Sequence, residues 1–129
     1  MFAPVHGFSG FSVDDIAAAK AFYAETLGLD AKDGAMGNID LTLPGGATVF
    51  IYPKPDHQPA GFTILNFVVD DIDAAVDELN SRGVVTKIYD DASFPTDEKG
   101  IARGKSVGQG PDIAWFRDPA GNVLSVLQD

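Results

Sequence analysis

The tetrapeptide Val-Asp-Asp-Ile occurs at residues 13–16 and returns unchanged at 69–72, each time running into an alanine-rich stretch, VDDIAAAKAFYAETLG and then VDDIDAAVDELNSRG. A repeat offset by 56 positions in a chain of 129 residues leaves room for two similar units and little more. After the first copy, Ile16, Ala19, Tyr23 and Leu27 fall at the spacing that lines one side of a helix, and Gly28 supplies a C-terminal stop. After the second, Ile72, Ala75, Val76 and Leu79 do the same, with Arg82 in the last turn and Gly83 ending it. Each copy therefore predicts a strand end passing into a capped helix, with Asp14, Asp15, Asp70, Asp71 and Asp73 placed to stabilise helix N-termini.

The segments before the two copies, GFSGFSV and FTILNFVV, are strand-like, and Phe11 and Phe67 coincide at the same offset. A second pair of segments repeats as well. LPGGATVFIY (43–52) lines up with DPAGNVLSVL (118–127), sharing Pro44 with Pro119 and Gly46 with Gly121, and both predict a tight turn feeding a strand. IDLTL (39–43) and DIAWF (112–116) predict the strands entering those turns, VVTKIY (84–89) predicts a strand after the second helix, and the matching strand near 30–36 is only weakly signalled. The expected organisation is two βαβββ modules, about 5–54 and about 62–129, joined by a Pro-rich linker over 53–61. One helix covers one face of a four-stranded sheet and leaves the other apolar face without a partner. Two modules placed edge to edge would then give an α+β fold with an eight-stranded curved sheet around a cleft. Nothing in the residues decides whether the modules pair within one chain or across two.

An apolar content of 45% suffices for a core, and the lack of cysteine removes disulfides, thiolate metal sites and thiol nucleophiles. A net charge of −10 argues against nucleic acid, whose phosphates are bound by Lys and Arg. The opening MFAPVHGFSGF lacks a basic leader, and no stretch reaches the roughly 18 apolar residues of a membrane span, so a soluble, cytoplasmic chain without a membrane partner is expected.

The stretches FSVDDIAAAKAFYAETLGL (11–29) and FRDPAGNVLSVLQ (116–128) resemble the vicinal oxygen chelate superfamily, which includes glyoxalase I, extradiol dioxygenases, fosfomycin resistance enzymes and bleomycin resistance proteins. The resemblance extends over essentially the whole chain and implies paired βαβββ modules, commonly a homodimer, and in the enzymes one divalent metal held by His or Glu at four strand positions. Carried over by distance from the local motifs, those positions are Phe8, five residues before Val13; its second-module counterpart Ile64; Phe50, after the Gly-Gly turn; and Ser125, four residues after Gly121. Phe50 and Ser125 are separated by the same 75 positions that relate the two turns. Two phenylalanines, an isoleucine and a serine offer at most one weak ligand, so no metal and no cofactor are expected.

Alternation places Ser12 with Phe8, Tyr52 with Phe50 and Asn66 with Ile64 on the face that would have met the metal, while Trp115 has no orientation from its local pattern. These eight residues, Phe8, Ser12, Phe50, Tyr52, Ile64, Asn66, Trp115 and Ser125, form the expected ligand-binding set; each taken singly also reads as ordinary core. His6 is two residues before Phe8, either on the same side of the strand or ahead of it, and His57 lies in the linker; both read as structural, neither with a recognisable Ser and Asp for triad chemistry. GIARGKS (100–106) has one residue too few for a phosphate-binding loop and belongs to a long aperiodic stretch, 90–111, that reads equally as a lid or a solvated loop. The leading expectation is a metal-free protein that sequesters an amphipathic or aromatic, possibly cationic antibiotic, small molecule, resembling the bleomycin resistance branch. A glyoxalase-, dioxygenase- or lyase-type enzyme with relocated ligands stands as the alternative, and a regulatory module with a vestigial cleft as a third reading.

Overall fold

The computed structural model describes residues 1–89 and 95–129, which divide into two compact units, Met1–Pro59 and Ala60–Asp129. In the first unit, β1 (Ser9–Val13) leads into α1 (Ile16–Lys20), which continues as a π-helical turn (Ala21–Thr26), and the chain returns through β2 (Asp30–Asp33), β3 (Ile39–Thr42) and β4 (Thr48–Pro53). In the second, β5 (Thr63–Val68) is followed by α2 (Ile72–Ser81), β6 (Ile101–Arg103), a 3-10 turn (Lys105–Val107), β7 (Asp112–Arg117) and β8 (Val123–Gln128). The result is an α+β fold with two four-stranded sheets, ordered β1-β4-β3-β2 and β5-β8-β7-β6. In each, the first strand runs parallel to the last and the remaining pairs are antiparallel. No helix among the described residues is long and apolar enough to cross a membrane.

The repeated tetrapeptide acts through its second aspartate. Asp15 and Asp71 both adopt extended backbone angles, and their Oδ1 atoms accept hydrogen bonds from the backbone N–H of Ala18 and Ala74, each at 3.1 Å. Each satisfies an N–H that has no partner inside the helix. The following Ile72 is buried, and its own N–H donates to Gln128 Oε1 at 2.9 Å, tying the start of α2 to the end of β8. The π-helical turn adds a residue to the last stretch of the first helix, and the consecutive Phe22 and Tyr23 are both buried, with rings perpendicular at 5.2 Å.

One face of each sheet carries its core. In the first unit Val13, Ile39, Leu41 and Ile51 are almost completely buried together with Ala19 and Tyr23 of the helical segment. In the second, Ile101, Ala114, Phe116, Leu124 and Val126 occupy the corresponding strands, with Ile72 and Val76 from α2. Removing such a side chain to alanine costs about 2–5 kcal/mol, because lost burial and the cavity left behind add together.

The two turns match atom for atom. Leu43 N–H donates to Ala47 O at 2.8 Å and Gly46 N–H to Leu43 O at 2.9 Å, while Asp118 N–H donates to Asn122 O and Gly121 N–H to Asp118 O, both at 3.0 Å. Gly46 and Gly121 hold φ of 98° and 85°, where a Cβ would be strained. Asp118 is buried, and its carboxylate accepts from the N–H groups of Ala120 and Asn122 and from Asn122 Nδ2.

One expectation in the strands holds and one is corrected. The weakly signalled segment after the first helix does form β2, whereas 84–89 joins no ladder; the edge position it was expected to fill is taken by Ile101–Arg103. Side chains hold 84–89 in place instead: Asn80 Nδ2 donates to Val84 O and Thr86 Oγ1, Thr86 Oγ1 to Lys99 O, and Thr96 Oγ1 to Tyr89 O. The edge strand starts from a turn closed by Asp97, whose Oδ1 accepts from the N–H of both Lys99 and Ile101 at 2.9 Å. Gly100 sits there at φ 90°, with the place of a Cβ only 1.9 Å from Thr86 O.

Two stability measurements test this account. Asp71→Ala should lower the urea midpoint by the equivalent of about 1 kcal/mol with the slope unchanged, while the neighbouring Asp70→Ala should change it by less than about half of that. Gly100→Ala should cost about 3 kcal/mol or more, since backbone strain and a backbone collision act together; a loss below about 1 kcal/mol would contradict the packing of 84–89 against this turn.

Candidate functional site

In the first unit, ladder register fixes which side chains leave the helix-covered face. Gly10 lies opposite Phe50 and Ser12 opposite Tyr52 across β1 and β4, and Asp40 lies opposite Phe50 across β3 and β4. Successive residues of a strand alternate faces, so Ser12, Asp40, Phe50 and Tyr52 share the uncovered side. Their rings extend this into a row: His6 to Phe8 at 6.0 Å, Phe8 to Phe50 at 6.3 Å, Phe50 to Tyr52 at 6.0 Å. His6 lies ahead of the strand, which begins at Ser9. Phe8 is 65% exposed and Tyr52 37%, a large aromatic area for a side chain row in contact with water. His57, read from the sequence as a structural residue of the linker, reaches back to β1, its Nδ1 2.6 Å from Ser12 Oγ. A shallow pocket of about 230 Å³ is bounded by Phe8, Asp40, Thr48, Val49 and Phe50.

In the second unit, Asn66 and Trp115 lie on either side of Ser125, so the three share the uncovered face of that sheet. Ser125 is fully buried and its Oγ donates to Asn66 Oδ1 at 2.5 Å. The pairing of β5 with β8 slips here: Thr63 lies opposite Val123 and Leu65 opposite Leu124, leaving Ile64 as the extra residue of a bulge. Ile64 therefore stands outside the regular alternation from which its position was expected. Thr63 takes a place beside the site instead, its Oγ1 accepting from Trp115 Nε1 at 3.1 Å. The indole is held from another side by Tyr89, edge to face at 5.2 Å.

Trp115 also forms part of the wall of a pocket of about 630 Å³, shared with Ile101, Ala102, Val107, Pro111 and Ile113 and with polar groups from Thr96, Asp97, Arg103 and Gln109. That volume is within the range of small-molecule sites, and a mostly apolar wall with a few polar groups is their usual chemistry. The aperiodic stretch 90–111, read equally as a lid or a solvated loop, thus contains an edge strand and a 3-10 turn that line this pocket; its first part, 90–94, lies outside the described residues.

An ionic network fastens the pocket wall to α2. Arg103 donates from both terminal nitrogens to Asp73, at 2.7 and 3.0 Å, and from Nε to Asp97 at 3.2 Å, with Asp112 at 3.9 Å. Lys99 pairs with Asp77 at 2.8 Å and reaches Asp73 at 3.6 Å. The hydrogen bonds from Arg103 hold the Asp73 carboxyl below the usual aspartate range, and Asp77 raises the Lys99 ammonium above its own.

The residues at the four positions assigned to a metal do not fit one. Phe8 and Phe50 offer no donor atom, Ile64 none, and the Ser125 hydroxyl is engaged with Asn66. Among the described residues no group of three or more His, Asp or Glu comes together as a ligand set. A divalent ion set against phenylalanine and isoleucine would lose its hydration without compensating ligands.

The eight expected residues therefore divide between the units. Phe8, Ser12, Phe50 and Tyr52 share one face in the first, Asn66, Trp115 and Ser125 share one in the second, and Ile64 sits at the bulge. Asp40, Thr63, Tyr89 and the pocket residues of 95–113 were not anticipated. For Asp40 a signal existed: the offset of 75 residues that relates the turns also relates Asp40 to Trp115, and both lie next to the matched pair Phe50 and Ser125. The same offset would have oriented Trp115.

The family model for the Glyoxalase/Bleomycin resistance protein/Dioxygenase superfamily matches residues 8–126. YaeR, an uncharacterized protein of Escherichia coli (strain K12), is 36% identical over 83 residues, a match that spans 54% of this chain and 64% of that protein's length. The crystal structure of TnmS3, an antibiotic binding protein from Streptomyces sp. CB03234, superimposes with a TM-score of 0.64 at 25% identity over 98% of each chain. That of FosX, a genomically encoded fosfomycin resistance protein from Listeria monocytogenes, gives 0.69 at 13% identity over 100% of this chain and 95% of that one.

The Asp73 pairing should be visible in acid. A carboxyl whose folded value is depressed stabilises the fold above its ordinary value of 3.8, and that contribution disappears as pH falls through the lower folded value. Asp73→Asn should therefore be less stable than wild type at about pH 7, with the gap closing as pH falls below the ordinary aspartate value of 3.8 in urea titrations. A gap that stays constant over that fall would count against the ion pair as the cause.

Proposed function

We propose a function that starts from one fact: the chain belongs to the Glyoxalase/Bleomycin resistance protein/Dioxygenase superfamily. Within it, the chain acts as a binding protein that takes up an amphipathic or aromatic small molecule, of antibiotic type, without a bound metal. The observation that carries this reading is the 630 Å³ pocket walled by Trp115, Ile113 and Val107. An indole fixed by Thr63 and Tyr89 is a ready stacking surface, and holding it in place beforehand lowers the entropy cost of binding a planar ligand. Polar groups at the rim, from Thr96 and Gln109, would orient the ligand rather than supply most of the affinity. The donor-poor residues at Phe8, Phe50, Ile64 and Ser125 support binding without metal chemistry, and the antibiotic-binding Streptomyces protein shares the fold at 25% identity.

Trp115 is the only tryptophan, so its emission reports on this pocket directly. Planar polycyclic antibiotics should quench it saturably, and Trp115→Ala should weaken their binding about tenfold or more by calorimetry, as should Val107→Asp. Uniform silence across a broad panel would overturn the reading. So would near-stoichiometric transition metal in protein purified without chelator, which would favour an enzyme with relocated ligands.

A further inference from the structure

The pocket in the first unit has an element that the Trp115 pocket lacks, a carboxylate without a cationic partner. Several aspartates elsewhere among the described residues are committed: Asp33 pairs with Lys20, Asp56 with Lys54, Asp77 with Lys99, and Asp73 and Asp97 with Arg103. Asp15, Asp71 and Asp118 hold backbone N–H groups. Asp40 forms no ion pair among the described residues; Lys32, opposite it on β2, turns to Asp30 at 3.9 Å. Its one partner is neutral. Asn38, buried at 3% exposure, donates from Nδ2 to Asp40 Oδ1 at 2.8 Å and is itself held through Oδ1 by the N–H of Met36. A buried amide thus aims an exposed carboxylate at a fixed point while leaving its charge unneutralised.

Two aromatic rings bound the same pocket as Asp40. Phe8 and Phe50, 6.3 Å apart and inclined at 51°, form a corner around the same pocket that Asp40 and Thr48 close. Ring faces attract cations through their quadrupole, and a carboxylate at the open side supplies the counter-charge. Its volume of about 230 Å³ suits a head group rather than a whole drug-sized molecule. A metal ion would find a single carboxylate among the residues that bound the pocket, far short of the roughly six oxygen ligands a hard cation takes. We propose that Phe8, Phe50 and Asp40 form a recognition site for an organic ammonium group, quaternary or primary. This rests on the reading of the chain as a small-molecule binder and specifies the chemistry of one end of its ligands. The net charge of −10 adds long-range attraction for such cations.

Choline and its uncharged carbon isostere, 3,3-dimethylbutan-1-ol, separate charge from shape, and amide spectra of the ¹⁵N-labelled protein locate their binding. Choline should shift the Thr48 and Phe50 amides saturably, with the isostere about fivefold weaker or more, and about 0.5 M salt should weaken choline alone. Asp40→Asn, which keeps the side-chain volume, should reduce choline affinity about fivefold or more and leave the isostere unchanged, while Asp14→Asn should do neither. Phe50→Leu should weaken choline by a similar factor and serves as the second variant. Equal binding of the two probes, equal effects of Asp40→Asn and Asp14→Asn, or shifts confined to other residues would overturn the site. If planar antibiotics quench Trp115 while choline leaves Thr48 and Phe50 unmoved, the ammonium site fails and the pocket reading stands. If choline binds as described and Trp115 stays silent, the pocket reading fails and the ammonium site stands.

Discussion

A helix of two or three turns can shield only one side of a four-stranded sheet, and everything distinctive about this chain follows from that limit. In both units the covered side is conventional, packed with Ile, Leu, Val and aromatic residues behind an aspartate-capped helix. The uncovered side is where the sequence is free to vary without unfolding the unit. There the two halves have diverged: a row of aromatic rings beside Asp40 in one, and a buried Ser125 bonded to Asn66 beside Trp115 in the other.

The acidity of the chain has a largely local explanation. Asp15 and Asp71 terminate helices, Asp97 and Asp118 close turns by accepting backbone N–H groups, and Asp73 with Asp77 and Asp112 surrounds the two cations that fix the pocket wall. Carboxylates suit these tasks because an oxygen on a short side chain can reach nearby N–H donors, and because each charge gains from a paired cation. The residual field still favours cationic over anionic ligands.

The repeat made the fold legible. Helix spacing, caps and turns are local patterns, so both βαβββ units could be read from order alone, down to the glycines that permit the matching turns. What failed was tertiary. The segment 84–89 has the residues of a strand, but Asn80 and Thr96 donate to its carbonyls at Val84 and Tyr89, its own Thr86 hydroxyl bonds Lys99 O, and a turn built by Asp97 and Gly100 delivers Ile101–Arg103 to the sheet edge instead. The contact of Ser12 with His57 spans 45 positions and has no signature in spacing. Of the site, the aromatic row followed from strand alternation, whereas the pocket beside Trp115 depends on how 95–111 folds over the strand, which periodicity does not encode.

The bulge at Ile64 gives the duplication an asymmetry that matters for engineering. Internal symmetry would suggest installing paired coordinating residues at 8 and 64 to revive an ion-binding centre. One inserted residue breaks that equivalence, because it is Thr63 that reaches the indole while Ile64 faces no counterpart on the neighbouring strand. A graft guided by the offset alone would thus start one position out of step in the second half, and reversing it would require deleting a backbone unit as well as exchanging side chains.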